Sequence, residues 1–387
     1  MDILISNNSW QIFCIFFVFL STLVLSMRVG RLFLVGDKLS LKIFLWHTFF
    51  CFIYFLYSLN SIADATLYFE RSLIFEGFPK VGTDFIYFFT SLFSKYLGFS
   101  YLGVFLIYNF IGFLGVLALA GSLIKTNIYN HKNKKILFYL LVFLPTLSFW
   151  SVAIGKDVFS FLAVCLSIWA VVERTKFSIL VIAIVLMLLV RPHIAAIMLV
   201  AFMISVIFSK DVNSFIKILS LGIGIGVTAI LIPFALNYAG LDDGNSAGDV
   251  QDYIDQRQSY NLEGGSSVDI SSMSLPMQLL TYLIRPLPFE AHSIFALISS
   301  LDNIIILILL IVGIYRGIKR YKPIIYSNRV YLWSYFLITW FLLSVTTANL
   351  GIAMRQKWMF LPVIFFLIFS IFYGKYSEIE NRRGKEK

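Results

Sequence analysis

The sequence predicts an all-α, polytopic integral membrane protein with about 11 transmembrane helices. The chain has 387 residues, of which 59% are hydrophobic and 13% charged. An ordinary soluble domain carries about 25% charged residues. The mean hydropathy is +0.86. This composition excludes a soluble enzyme, a disordered protein and a secreted disulfide scaffold.

The apolar stretches place the predicted helices. A helix that crosses a bilayer needs about 20 mostly apolar residues. Stretches of this kind lie at 10–27, 40–60, 101–124, 136–151, 157–172, 177–190, 193–209, 216–238, 293–315, 330–348 and 357–374. The three between 157 and 209 are short or adjoin one another. The first stretch has neither a basic segment before it nor a small-residue cleavage site after it, so it does not fit a cleavable signal.

Basic residues predict the orientation of these helices, because Lys and Arg are enriched in cytoplasmic loops. They concentrate in alternating gaps: 28–42, 125–135, 173–176, 210–217, 316–329 and the tail after Tyr373. This alternation predicts an N-terminus outside, a cytoplasmic C-terminus and an odd number of spans. The net charge of +10 is therefore an orientation signal. It does not predict nucleic-acid binding, because the basic residues are spread over many short loops without a binding motif.

Two outer segments are predicted to differ from simple turns. Residues 61–100 form the first outer loop, and its aromatic stretch from Phe85 to Phe93 is too short and interrupted to span a bilayer. We expect an interfacial helix there, on the outer surface. Residues 239–292 form a long outer loop with eight acids and two arginines. Its polar part, from Gly240 to Pro276, is typical of a lid, a binding loop or disorder.

Cations at outer turns are the most informative feature of the sequence. Five predicted outer turns carry at least one each: Arg71, Lys156, Arg191, Arg285, and Arg355 with Lys357. Lys and Arg are expected on the cytoplasmic side. Cations close to the bilayer on the outer side therefore indicate a specific role. Binding an anion is the simplest one, since Arg binds phosphate through two parallel hydrogen bonds. An anion that arrives from the lipid side would be a lipid-linked phosphate or pyrophosphate.

Simpler interpretations exist for each of these residues. A single Arg near a helix end usually extends to the lipid headgroups. Lys156 and Asp157 could form an ordinary ion pair, and Pro192 could simply begin a helix. His193 could cap or pack, and Asp64 could be a solvated loop acid. The occurrence of several cations and acids on one predicted face favours a shared outer anion site.

No metal or other cofactor is expected. The three cysteines all fall inside apolar runs, as small hydrophobic residues do: Cys14, Cys51 and Cys165. Three histidines lack the spacing of metal ligands: His47, His131 and His292. The acids of the long loop lack the spacing of an EF-hand.

Short motifs resemble membrane glycosyltransferases of the GT-C superfamily. Asp64 and Tyr68, followed by Gly82-Thr83-Asp84 and the aromatic stretch, are most similar to EpsG-like proteins and Wzy-type polysaccharide polymerases. Three later segments are similar too: Pro145 to Asp157, Arg285 to Glu290, and Asn349 to Lys357. The long outer loop of the second half also fits. The resemblance extends from about 60 to 360 as degenerate motifs.

The resemblance implies a single GT-C-like transmembrane domain over 1–387 in the bacterial cytoplasmic (inner) membrane. It implies a polymerase that transfers oligosaccharide repeat units of O-antigen or capsule from undecaprenyl pyrophosphate on the outer side. It also implies Asp64 or His193 as the catalytic residue. The substrate-binding candidates are Arg191, Arg285, Arg355, Lys156, Lys357, Arg71, Asp157, Glu290 and Tyr68. A chain-length regulator and a flippase of the same pathway are implied as possible partners.

Two alternatives stay open at this point. One is a transferase that adds a single sugar from a polyprenyl-phosphate donor. The other is a lipid-oligosaccharide flippase, for which we expect cations deep within the spans and an internal repeat. In the sequence only Asp302 lies well inside an apolar run, and no inverted repeat is visible.

Overall fold

The computed structural model describes residues 8–61, 63–126, 129, 135–173, 177–210, 212–239, 273–291, 293–319, 321–325 and 328–372. It is 81% helix, and the described residues contain no strand. The chain divides into two compact units, Met1–Arg191 and Pro192–Lys387. A single transmembrane domain over 1–387 stays a prediction.

The first unit contains nine described helices: α1 (Ser9–Leu32), α2 (Asp37–Asn60), α3 (Asp64–Leu73), α4 (Thr83–Ser94), α5 (Tyr101–Ile124), α6 (Lys135–Val142), α7 (Pro145–Trp150), α8 (Lys156–Val172) and α9 (Phe177–Val190). The side chains of Asn8 and Ser100 cap α1 and α5 by accepting hydrogen bonds from backbone N–H groups. The stretch 136–151, predicted as one span, is broken into α6 and α7 at Pro145. The residue before a proline disfavours helical backbone, which accounts for the break.

Helix α5 packs against α1, α2 and α8 in the first unit. Glycine permits the closest contacts, because a Cβ on Gly112 would lie 1.8 Å from the carbonyl oxygen of Ser151. A Cβ on Gly121 would lie 2.2 Å from the carbonyl oxygen of Phe33. Neither position has room for any side chain, so both glycines fix how closely α5 approaches its neighbours.

A buried polar network also joins α2, α5 and the end of α7. His47 Nδ1 lies 2.7 Å from Asn109 Oδ1, and His47 Nε2 lies 2.9 Å from Ser151 Oγ. Asn109 Nδ2 donates to Thr48 Oγ1 at 2.9 Å. All four side chains are buried. Both ring nitrogens of buried His47 therefore have a hydrogen-bond partner inside the first unit.

The second unit contains seven described helices: α10 (Pro192–Phe208), α11 (Ser214–Ala239), α12 (Leu275–Ile284), α13 (Ile294–Ile318), α14 (Arg329–Thr346), α15 (Leu350–Gln356) and α16 (Leu361–Ser370). Two 3₁₀ turns accompany them, Pro288–Glu290 and Lys357–Met359. The last predicted span, 357–374, differs from the structure. Leu350–Met359 and Leu361–Ser370 meet at a 53° bend and together have the length and apolarity of one broken span.

Among the described residues, five helices are long and apolar enough to cross a membrane, or six if the bent pair counts as one span. The five are Ser9–Leu32, Asp37–Asn60, Tyr101–Ile124, Ala296–Ile318 and Arg329–Thr346. The all-helical fold and its membrane-embedded character are therefore supported, while a count of eleven spans is not shown. Five predicted stretches remain. Shorter apolar segments occupy four of them: Lys135–Trp150, which contains α6 and α7, Phe177–Val190, Pro192–Phe208 and Ser214–Gly226. Helix α8, Lys156–Val172, occupies the fifth.

The two predicted outer loops contain helices. Helix α4 covers the aromatic stretch where we expected a helix, and α3 precedes it where we expected a loop. Within 239–292, residues 240–272 and 292 lie outside the described residues. The prediction of a loop was wrong for the later part of this segment, because Leu275–Ile284 forms helix α12. The helix begins after Ser274 and has a proline in its first turn, where proline is favoured.

Candidate functional site

Helix α3 presents three predicted site residues on one face. Asp64, Tyr68 and Arg71 are separated by four and three positions, a spacing that places side chains together on a helix surface. Asp64 lies in the first turn and Arg71 in the last, so both charges match the helix dipole. Asp64 and Arg71 are exposed and Tyr68 is half-buried, while Phe69 is buried on the opposite face.

Helix α4 adds Tyr87 to this face. The rings of Tyr68 and Tyr87 meet edge to face, with centroids 5.8 Å apart. Burial raises the pKa of Tyr87; the charge of Arg71 opposes the rise, and the carboxylates of Asp84 and Asp64 add to it. The charges of α3 and α4 therefore act on the Tyr87 hydroxyl.

The beginning of α8 lies against the same two helices. Gly155 precedes α8, and a Cβ on it would lie 3.1 Å from Tyr68 Cε2. The next residue, Lys156, donates from Nζ to Thr83 Oγ1 at 3.1 Å, across to the first residue of α4. Gly155 thus allows the Tyr68 ring to approach the backbone at the point where Lys156 bridges to α4.

Arg191 is held at the beginning of α8. One Nη of its guanidinium pairs with Asp157 Oδ1, and Nε donates to Ser160 Oγ at 3.2 Å. The side chains of Arg191 and Asp157 are only 12% and 19% exposed. This ion pair therefore lies largely out of water, where charge interactions are stronger than at an open surface.

Together these side chains form the first polar group: Asp64, Tyr68, Arg71, Tyr87, Lys156, Asp157 and Arg191. It combines an exposed carboxylate, two aromatic rings and three cations. In the described part of the chain, no cluster of three or more His, Cys, Asp or Glu side chains has a metal-binding arrangement. The chemistry that the group offers is acid–base chemistry and anion binding.

In the second unit, Arg285 and Glu290 form an ion pair within one turn. An Nη of Arg285 lies 2.7 Å from Glu290 Oε1, and Glu290 Oε2 accepts from the backbone N–H of Leu287 at 2.8 Å. Arg285 directly follows α12, and its side chain is 27% exposed. Both carboxylate oxygens of Glu290 are thus used to hold the turn and its arginine.

Lys357 lies deeper than the sequence suggests. Its side chain is buried, and the ammonium donates to Asn303 Oδ1 on α13. Asn303 Nδ2 donates onward to the carbonyl oxygen of Pro286 at 2.9 Å. The negative charge of buried Asp302 also acts on the ammonium. Lys357 therefore belongs to an internal polar network.

The remaining predicted residues lie near the ends of short helices. Pro192 begins α10, as its preference for the first helical turn predicts, and His193 follows it, half-buried. Arg355 is half-buried in the last turn of α15, whose first turn is capped by Asn349. Asn349 Oδ1 accepts from the backbone N–H groups of Gly351 and Ile352 at 2.8 and 3.2 Å.

Sequence reasoning missed three residues that hold these groups in place. Tyr87 lies three positions after Asp84, a spacing that could have placed both on one face of α4. Ser160 follows Asp157 at the same interval on α8. Asn303 lies beside Asp302 within an apolar run, and a polar side chain at such a position is itself a signal of function.

Comparison with protein-family models gives no match, and comparisons with curated proteins and with solved structures give none either. The candidate site therefore depends on the geometry of the chain itself.

Proposed function

We propose that the chain is a membrane glycosyltransferase that polymerises lipid-linked oligosaccharide repeat units, of the O-antigen or capsule type, on the outer side of the bacterial cytoplasmic membrane. The observation that best supports this proposal is the shared face of Asp64, Tyr68 and Arg71 beside Tyr87. A carboxylate, aromatic rings and a guanidinium are the groups needed to accept a proton, contact a sugar ring and bind phosphate.

The proposed reaction transfers a sugar from undecaprenyl pyrophosphate to an acceptor hydroxyl. The acceptor oxygen bonds to the anomeric carbon, and the bond from that carbon to the diphosphate oxygen breaks with its electron pair left on the diphosphate. The acceptor proton passes to Asp64, our first choice of base, with His193 as the second. General base catalysis of this kind contributes roughly 10²–10⁴-fold. No metal or other cofactor takes part in this scheme.

Cations are proposed to stabilise the charge that develops on the diphosphate. Fixed positive groups in a site that excludes water contribute a few kcal/mol each. Arg191, Arg285 and Arg355 are the proposed phosphate ligands, because a guanidinium binds phosphate through two parallel hydrogen bonds. A guanidinium has five N–H donors. The ion pairs of Arg191 with Asp157 and of Arg285 with Glu290 use some of these donors and orient the planar group.

The proposal includes eleven spans, with the N-terminus outside and the C-terminus in the cytoplasm. Apolar helices too short to cross alone supply the spans beyond the long helices, and the broken pair at α15 and α16 supplies the last. Helices α3 and α4 would then lie on the outer surface. The amphipathic α3, with charges on one face and Phe69 buried on the other, fits an interfacial position.

One observation favours a second candidate, the transport of a lipid-linked oligosaccharide. Lys357 and Asn303 are buried with Asp302, whereas the sequence indicated only Asp302 inside an apolar run. Charged side chains within spans and broken helices are features of transporters. A transferase that adds a single sugar from a polyprenyl-phosphate donor is the other enzyme candidate.

Analysis of surface polysaccharide and of lipid-linked intermediates in a deletion strain separates the candidates. Loss of a polymerase leaves complete single repeat units on lipid at the outer face. Loss of a single-sugar transferase leaves shortened units, and loss of a flippase leaves complete units at the inner face. Complementation with Arg191→Ala, Arg285→Ala and Arg355→Ala then tests the cations. Polymer of normal length and amount from all three variants would contradict their role.

A further inference from the structure

A buried hydrogen-bond chain connects three segments of the second unit. It begins at the ammonium of Lys357, in the 3₁₀ turn between α15 and α16, and passes through the Asn303 amide on α13. It ends at the carbonyl oxygen of Pro286, which follows Arg285. Lys357 and Asn303 are 2% and 1% exposed. The chain of contacts thus links the break in the last span to the turn that carries Arg285.

A buried ammonium is costly in such a place. Removing a charge from water carries a penalty that only good geometry and a nearby opposite charge can offset. Asn303 supplies an acceptor for the ammonium, and Asp302, 3% exposed, precedes it on α13. An apolar side chain would fill the same space without this penalty. A buried ammonium at this position therefore indicates a functional role for Lys357.

The ammonium fixes the orientation of the Asn303 amide. An ammonium can only donate hydrogen bonds, so Asn303 must present its oxygen to Lys357. Its NH₂ group is then directed to the carbonyl oxygen of Pro286, which can only accept. On its other side, the same turn is held by Glu290, which binds both the Leu287 N–H and the Arg285 guanidinium. The turn is therefore fixed from two directions.

We propose that Lys357 and Asn303 are positioning residues for Arg285, and that Lys357 acts through Asn303 instead of touching the substrate. The consequence for phosphate binding depends on the proposed function. The effect on the Arg285 turn itself does not, so the two can be tested separately.

The test replaces Asn303 by aspartate in the full chain. Asn303→Asp keeps an oxygen for Lys357 but has no N–H for the Pro286 carbonyl. The readout is the rate at which phenylglyoxal modifies Arg285, followed by peptide mass spectrometry on the purified, detergent-solubilised protein. We expect the rate to rise about fivefold, as the loss of one hydrogen bond predicts. An unchanged rate in the folded variant would overturn the proposal.

Two further variants secure this test. Ser300→Ala is the matched control, because Ser300 is a buried polar side chain on the same helix that donates to Leu297 within that helix at 2.6 Å; its Arg285 rate should equal that of the natural chain. Lys357→Met removes the ammonium at similar length and should raise the rate in the same direction. If Lys357→Met does not fold, by thermal unfolding, Asn303→Asp decides alone.

A transfer assay separates this proposal from the proposed function. With a lipid diphosphate sugar donor, Asn303→Asp should lower kcat/KM about fivefold, with a fall in kcat, because Arg285 acts on charge that develops in the transition state. In an Arg285→Ala background it should have no further effect, because both changes act through one residue. An additive effect would overturn the positioning role. If the natural chain has no transferase activity but the Arg285 modification rate rises, the proposed function fails and the positioning role stands.

Discussion

The ring of Tyr68 lies against the backbone of Gly155, where α8 begins. A Cβ on Gly155 would lie only 3.1 Å from Tyr68 Cε2. The ring of Tyr68 also contacts the ring of Tyr87, and the two ring centroids are 5.8 Å apart. From α3, Tyr68 therefore contacts both α4 and the beginning of α8.

Gly155→Ala should displace the Tyr68 ring, strain the backbone at a φ of 159° and lower transferase activity severalfold. The added methyl group forces the ring to move by a few tenths of an ångström, and small displacements at a site reduce rates. Activity of the purified variant at saturating donor measures the effect. Gly77→Ala is the control, since Gly77 also has a positive φ, of 91°, and nothing lies within 4 Å of a Cβ there. In a Tyr68→Ala background, Gly155→Ala should have a smaller effect; an equal effect would rule out the ring as its cause.

Asp157→Asn should destabilise the folded protein by about 3–5 kcal/mol, because it leaves the guanidinium of Arg191 buried without its carboxylate. Thermal unfolding of the detergent-solubilised protein measures the change. The double variant Asp157→Asn/Arg191→Gln should recover much of the loss. Asp37→Asn is the matched control: in its pair with Arg31 the aspartate is 38% and the arginine 68% exposed, and exposed pairs contribute little to stability. Equal losses for the two aspartates would contradict this account.

Helix positions were largely predictable from the sequence, because a run of apolar residues has few alternatives to a helix in a membrane. The stretch 101–124 matches α5 at both ends. Helix α3 was missed because only one of its faces is apolar, so hydropathy alone reads it as a loop. The break before Pro145 has a local cause that the sequence contains.

Pairing within the candidate site was much less predictable. The sequence indicated Arg191, Asp157 and Lys357 as unusual residues. It could not show that Arg191 pairs with Asp157, 34 positions away, or that Lys357 contacts Asn303, 54 positions away. Such contacts depend on how helices pack, and a single sequence carries no direct record of long-range packing.

Gly112→Ala should strongly destabilise the first unit, because its Cβ would lie 1.8 Å from the carbonyl oxygen of Ser151. Backbone cannot yield as a flexible side chain does, so α5 must move away from its neighbours. Expression level and thermal unfolding measure the effect. Gly222→Ala, in a helix with nothing within 4 Å of the added Cβ, should be neutral or stabilising by up to about 1 kcal/mol. Equal behaviour of the two variants would contradict the described packing of α5.

Cysteine labelling in intact cells tests the proposed orientation. Glu76→Cys should react with a membrane-impermeant maleimide added outside, whereas Lys38→Cys should react only after the membrane is opened. Both positions are exposed. The three natural cysteines are buried and should give a low background. The reverse pattern would show that the basic segment 28–42 lies outside and would overturn the proposed topology.

The most direct test of the central claim is transfer from a purified undecaprenyl-diphosphate oligosaccharide by the purified full chain. We predict that Asp64→Asn lowers kcat by roughly 10²–10⁴-fold, the contribution of a general base, with donor binding unchanged. His193→Ala and the exposed control Asp37→Asn should retain activity close to that of the natural chain. An Asp64→Asn protein that transfers sugar at the natural rate would contradict the assignment of Asp64 as the base.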